Sequence, residues 1–126
     1  MANEGFWYLA TPYAKYYQGV EAAYNLACDN AALFIEARIP VFSPIAHSHG
    51  IANAVSIWAK GHNIWLPMDQ PFIDAAKGLV MLKAVGWGVS VGMGYELEQF
   101  KKAGKPIVWM EPYTLPDYFT QKSENE

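Results

Sequence analysis

Residues 78–106 most narrowly limit what this chain can fold into, because they join an apolar run, a glycine-rich turn and a helical stripe in that order. Gly78-Leu-Val-Met-Leu82 is short and begins at a glycine, which suits a buried strand better than a helix. Gly86-Trp-Gly-Val-Ser-Val-Gly-Met-Gly94 then reads as an open turn leading into a helix. Ser90 suits the N-cap, and Met93, Leu97 and Phe100 give that helix a buried stripe until Gly104 and Pro106 stop it.

The rest of the chain repeats the alternation. Phe6-Trp-Tyr-Leu-Ala10 reads as a first strand that opens at Thr11-Pro12 into a loop. Between Gln18 and Arg38, the spacing of Val20, Ala23, Tyr24, Ala27, Ala31, Phe34 and Ile35 predicts an amphipathic helix. A second strand is expected at Ile39–Phe42, followed after Ser43-Pro44 by a loop over Ile45–Ile51. A helical region from about Ala54 to Ala76 is interrupted by Pro67 and Pro71, and Pro67 is expected to begin a new helix. A last strand falls at Ile107–Met110, and residues 121–126 form a polar tail expected to fray.

Strands that alternate with helices imply an α/β fold. The expectation is one doubly wound domain over residues 1–120, flavodoxin- or Rossmann-like. Its sheet would be mainly parallel, with about four to five strands and helices on both faces. Ligands of such sheets bind outside the carboxyl ends of the strands, which here carry Thr11-Pro-Tyr13, Ser43 to His49, and Lys83 to Ser90.

Composition removes several classes of function. The 126 residues are 52% hydrophobic, enough for one core, and carry a formal net charge of −3 with no basic run, which argues against binding polymeric nucleic acid. No apolar stretch is long enough to span a bilayer, and the first residues lack a signal-peptide pattern, so the expectation is a cytoplasmic protein with no membrane partner. Cys28 is the only cysteine and suits helix packing. His47 and His49 lie two apart without a third ligand at convincing spacing, so no metal and no cofactor is expected.

Glu96 is the leading catalytic candidate. It lies four residues after Gly92 and three after Met93, and so shares a face with a first turn that has little side-chain bulk. Each glycine in that turn costs roughly 0.8–1 kcal/mol relative to alanine, which is understandable if a ligand needs the backbone. The free N–H groups of the helix start would favour phosphate or another anion. An ordinary solvent-facing glutamate beside a glycine-rich connection accounts for the same pattern. Tyr13 and Trp87 could stack on a base or merely lid the core, and the His47–His49 stretch either borders a pocket or is an ordinary polar loop.

Taken together, Tyr8-Leu-Ala-Thr-Pro-Tyr13, Pro67-Met-Asp69 and Ser90-Val-Gly-Met-Gly-Tyr-Glu-Leu97 resemble the nucleoside 2-deoxyribosyltransferase-like superfamily, which includes the 2'-deoxynucleoside 5'-phosphate N-hydrolases. The resemblance covers most of the chain. It implies that Glu96 is the nucleophile attacking the anomeric carbon, that Tyr8 orients it, that Asp69 lies near the leaving base, and that Ser90 holds a 5'-phosphate. With the residues at the strand ends added, the substrate is expected against Thr11, Pro12, Tyr13, His47, Trp87, Gly88, Ser90, Gly92 and Gly94, although the His47–His49 stretch is not part of the superfamily pattern. The monophosphate hydrolases carry an arginine after the first strand, whereas this chain has Tyr13-Ala14-Lys15.

The expected activity is hydrolysis of a (deoxy)nucleoside 5'-monophosphate to free base and sugar phosphate. A deoxyribosyltransferase would use the same nucleophile, and a non-catalytic nucleotide-binding module would use the same pocket. A flavodoxin-type electron carrier leaves the glutamate without a role. The resembling enzymes are oligomers, so a homodimer or larger assembly is expected.

Overall fold

A computed structural model describes residues 5–54 and 62–120. Four parallel strands, β1 (Trp7–Ala10), β2 (Val41–Phe42), β3 (Gly78–Leu82) and β4 (Ile107–Met110), form one sheet in the order β2-β1-β3-β4. The helices are α1 (Val20–Glu36), α2 (Pro44–Ala54), α3 (His62–Ala75), α4 (Val91–Ala103) and the short α5 (Asp117–Thr120), and a 3-10 turn covers Trp87–Val89. This is the α/β, doubly wound architecture expected from the alternation of apolar runs and helical stripes.

The two central strands are continuous apolar runs because both their faces are covered. Side chains alternate across the sheet, so Trp7, Leu9, Val80 and Leu82 enter one core with Leu26 and Phe34 of α1. Tyr8, Ala10, Leu79 and Met81 enter the other with Ile73 of α3 and Met93 and Phe100 of α4. Phe119 of α5 closes the first core edge-on against Trp7 and Phe34, at centroid distances of 5.0 and 5.2 Å. The sequence pattern did not anticipate this last helix.

The pairing of Trp7 with Gly78 fixes the register of β1 on β3. A Cβ at Gly78 would collide with the buried Trp7 indole. Overpacking of this kind typically costs about 1–3 kcal/mol. Gly78→Ala is therefore expected to lower the melting temperature by on the order of 10 °C, read by thermal circular dichroism. An unchanged Tm would mean that the indole repacks freely.

Three local expectations are corrected. The stretch read as a loop over Ile45–Ile51 is helical: Ser43 caps α2 by accepting from the Ala46 N–H at 3.1 Å, and Pro44 occupies the first turn. Pro67 does not begin a helix but lies inside α3, as does Pro71. Both are exposed and four residues apart, so the carbonyls they leave unpaired share the solvent side of the helix. Within α1, Val20 and Ile35 are exposed, and Asn30 takes a core place instead. Its amide is satisfied by donating to the Leu26 carbonyl and accepting from the Tyr113 N–H. The tail over 121–126, expected to fray, and residues 55–61 of the expected helical region lie outside the described residues.

The chain runs from β1 outward to β2, then crosses to β3 on the other side of β1. That reversal splays apart the loops leaving β1 and β3 and opens a crevice at their carboxyl ends, the place where such sheets take ligands.

Candidate active site

The crevice is a pocket of about 700 Å³. Its wall is built from Thr11, Pro12 and Tyr13 after β1, from one side of α2, from Trp65, Leu66 and Asp69 of α3, and from the loop and first turns of α4 that carry Ser90, Gly92 and Glu96. Ser90 accepts from the Met93 N–H at 3.3 Å as the N-cap of α4, while the Val91 and Gly92 N–H groups belong to the first turn that has no intrahelical acceptors. A Cβ at Gly92 or Gly94 would meet nothing within 4 Å, so no protein packing demands glycine there. The turn is open towards whatever occupies the pocket.

Glu96 lies one turn further along α4 and turns its carboxylate inward. The Tyr8 hydroxyl donates to Glu96 Oε2 at 2.6 Å, from a side chain wholly buried under the pocket. Burial pushes the Glu96 carboxyl up to about 8; the Tyr8 hydrogen bond works against this, and the charge of Asp69 adds to it. Burial, then the Glu96 charge and hydrogen bond, hold the Tyr8 phenol far above its ordinary range, so it remains a donor. Asp69 is pushed up to about 6 by burial, partly offset by His47. Two carboxyls with raised protonation, one raised further by the charge of the other, therefore border one pocket.

Tyr8→Phe removes the donor from Glu96 and leaves the packing volume. A hydrogen bond to a charged group is worth about 1.5–3 kcal/mol, so Glu96 should titrate about one to two pH units higher in the variant. Carboxyl ¹³C NMR reads this without reference to any activity, and an unmoved titration would show that the contact does not favour the carboxylate.

The other sequence candidates divide. Thr11, Pro12, Tyr13, Asp69, Ser90, Gly92 and Glu96 meet at the pocket, with Tyr8 beneath them. The buried Thr11 hydroxyl has no hydrogen-bond partner among the described residues. Gly88 and Gly94 are outside the lining, as is Trp87, which packs edge-on against Trp109 at 5.1 Å. His47 is exposed and lies over the rings of Phe42 and Phe72 rather than in the wall. Asp69 lies in the interior of α3, seven residues after its start, so the helix-start dipole that would favour its charged form is absent.

The pocket histidine is His49, which the sequence reading left without a role. A signal for it existed: Ile45, Ser48, His49 and Ala52 all line the pocket and recur at helical spacing. Reading the segment as a loop hid that periodicity. Glu21, bonded to His49, gave no signal at all. Among the described residues no group of three or more His, Cys, Asp or Glu could hold a metal ion, and no helix is long and apolar enough to cross a membrane.

The family model described as "Domain of unknown function (DUF1937)" matches residues 5–112, and the chain belongs to that family. The matched stretch runs from just before β1 to just beyond β4 and contains every pocket residue named above. No curated protein matches the chain.

Proposed function

We propose that this DUF1937 protein is a nucleotide N-glycosidase that hydrolyses the bond between base and sugar in a (deoxy)nucleoside 5'-monophosphate. The observation that carries the reading is the Glu96 carboxylate, held by the buried Tyr8 hydroxyl at 2.6 Å in a pocket that also contains Asp69. The resemblance of the three motifs to the nucleoside 2-deoxyribosyltransferase-like superfamily supports the same assignment.

Cleavage of an N-glycosidic bond passes through an oxocarbenium-like state, and a retaining route needs a nucleophile and an acid. Glu96 attacks the anomeric carbon and forms a glycosyl ester, while the carbon–nitrogen bond breaks and the base nitrogen takes a proton from Asp69. Water then attacks the same carbon, gives its proton to Asp69, and releases Glu96 with its electron pair. Tyr8 acts as a positioning residue through Glu96. The open first turn of α4, with Ser90 and the Val91 and Gly92 N–H groups, suits the 5'-phosphate.

The test is chromatographic detection of free base from the full set of ribo- and deoxyribonucleoside 5'-monophosphates, beside the nucleosides and beside Glu96→Ala. Release from one monophosphate class, lost in the variant, is the expected result. Release that requires an added acceptor base would make the protein a transferase. Nucleotide binding without turnover would make it a binding module. A cytoplasmic homo-oligomer is the setting this reading assumes, and sedimentation of the purified chain tests the assembly.

A further inference from the structure

One wall of the pocket contains a hydrogen-bond chain that the cleavage chemistry does not use. Tyr13 follows β1 at the pocket edge, His49 lies behind it on α2, and Glu21 stands behind His49 in the first turn of α1. The Tyr13 hydroxyl lies 2.8 Å from His49 Nδ1, and His49 Nε2 lies 2.8 Å from Glu21 Oε2. His49 is only 6% exposed, and its ring is stacked on Tyr24 at a centroid distance of 4.4 Å and 20°. Both ring nitrogens are thus fixed on their partners.

The direction of the chain follows from what each group can give. A carboxylate only accepts, so His49 Nε2 donates to Glu21. A neutral imidazole holds one proton, and with that proton on Nε2 the ring offers Nδ1 as an acceptor to which the Tyr13 hydroxyl donates. The phenol proton is committed to the wall, and Tyr13 presents oxygen lone pairs to the pocket. Burial and the charge of Glu21 hold the Tyr13 phenol above its ordinary range, which keeps that proton in place. Elsewhere in the same lining, the Val91 and Gly92 N–H groups offer donors. The pocket therefore has donors at the α4 turn that suit an anion, and at Tyr13 an acceptor that an ionised phosphate cannot satisfy.

We propose that Tyr13 is a specificity-determining residue. Held as an acceptor by His49 and Glu21, it takes a hydroxyl or N–H donor from the uncharged part of the ligand, its sugar or its base. The identity of that ligand rests on the nucleotide reading above; the direction of the hydrogen-bond chain does not.

Two measurements on the full chain test this. Histidine ¹⁵N NMR without ligand reads which nitrogen of His49 carries the proton: Nε2 alone is expected, and a proton on Nδ1, alone or together with one on Nε2, overturns the proposal. Calorimetry with Glu96→Gln, which should hold ligand uncut, then compares adenosine 5'-monophosphate with its 2'-deoxy, 3'-deoxy and 6-hydrogen analogues. Losing the donor that Tyr13 takes should weaken binding about tenfold. Adding Tyr13→Phe should weaken the parent nucleotide to the same level and leave the analogue without that donor unchanged. Glu21→Gln, whose amide can donate or accept, should reduce the discrimination. Equal weakening of all four ligands by Tyr13→Phe, or no weakening, overturns the proposal. If none of the four binds, an adenine nucleotide is not the ligand, and the His49 proton alone decides this one.

Discussion

Glu96→Gln is expected to abolish base release while making the protein more stable. Loss of a nucleophile removes the covalent route, and such replacements cost on the order of 10³–10⁶ in rate. The stability change follows from the raised carboxyl. Below about pH 4.5 the group is protonated whether the chain is folded or not, and it contributes no pH dependence. As the pH rises from about 4.5 to about 8, the unfolded chain releases the proton while the folded pocket keeps it, so folding becomes progressively less favourable. Above about 8 the penalty is complete. The pocket opens to water, which screens the charge, so the total should be a few kcal/mol rather than the full ~1.4 kcal/mol per unit. An amide at this position removes the charge and still accepts the Tyr8 hydrogen bond. Melting curves should coincide near pH 4.5 and separate by roughly 5–10 °C at pH 8–9, the variant being higher. A variant less stable than the parent at pH 8 would contradict the desolvated carboxylate on which the site assignment depends.

A conflict of this kind between stability and a proposed function marks how far local sequence patterns reach. The central strands were legible because parallel strands covered on both faces must be apolar throughout, and α4 because Ser90 and Gly104 are chemically suited to its two ends. Helix α2 was not, although Ser43-Pro44 is itself a start signal, because Gly50 and two histidines weaken its apolar stripe. Helix α3 was misread because two interior prolines usually end a helix, and only their common solvent face makes them tolerable here. For the site, Glu96 was legible from the empty turn before it. Its contact with Tyr8 spans 88 positions of sequence and came into view only through the resemblance. The Tyr13–His49–Glu21 chain joins three elements, and no spacing rule connects them.

Asp69→Asn should change the form of the pH–rate profile as well as its height. In the parent protein the two carboxyls should titrate in steps near 6 and near 8, the Asp69 charge adding to the rise at Glu96. Below about 6 both hold protons and no carboxylate remains to attack; above about 8 both are ionised and no acid remains. The parent should therefore show a bell centred near pH 7. Between the limbs the pair shares one proton, which in the free pocket favours Glu96. In the proposed cleavage, positive charge developing on the sugar would stabilise the ionised Glu96 and shift the proton towards Asp69, where the departing base would take it. Without that acid the rate should fall by about 10²–10⁴, and least for nucleotide analogues whose leaving group needs no protonation. The basic limb should disappear. Removal of the Asp69 charge also lowers the Glu96 titration, so residual activity should rise to a plateau that starts at lower pH than the parent's basic limb. Retention of the full bell in Asp69→Asn would assign the acid to another residue, and an equal loss on activated and ordinary leaving groups would reduce Asp69 to a structural part of the wall.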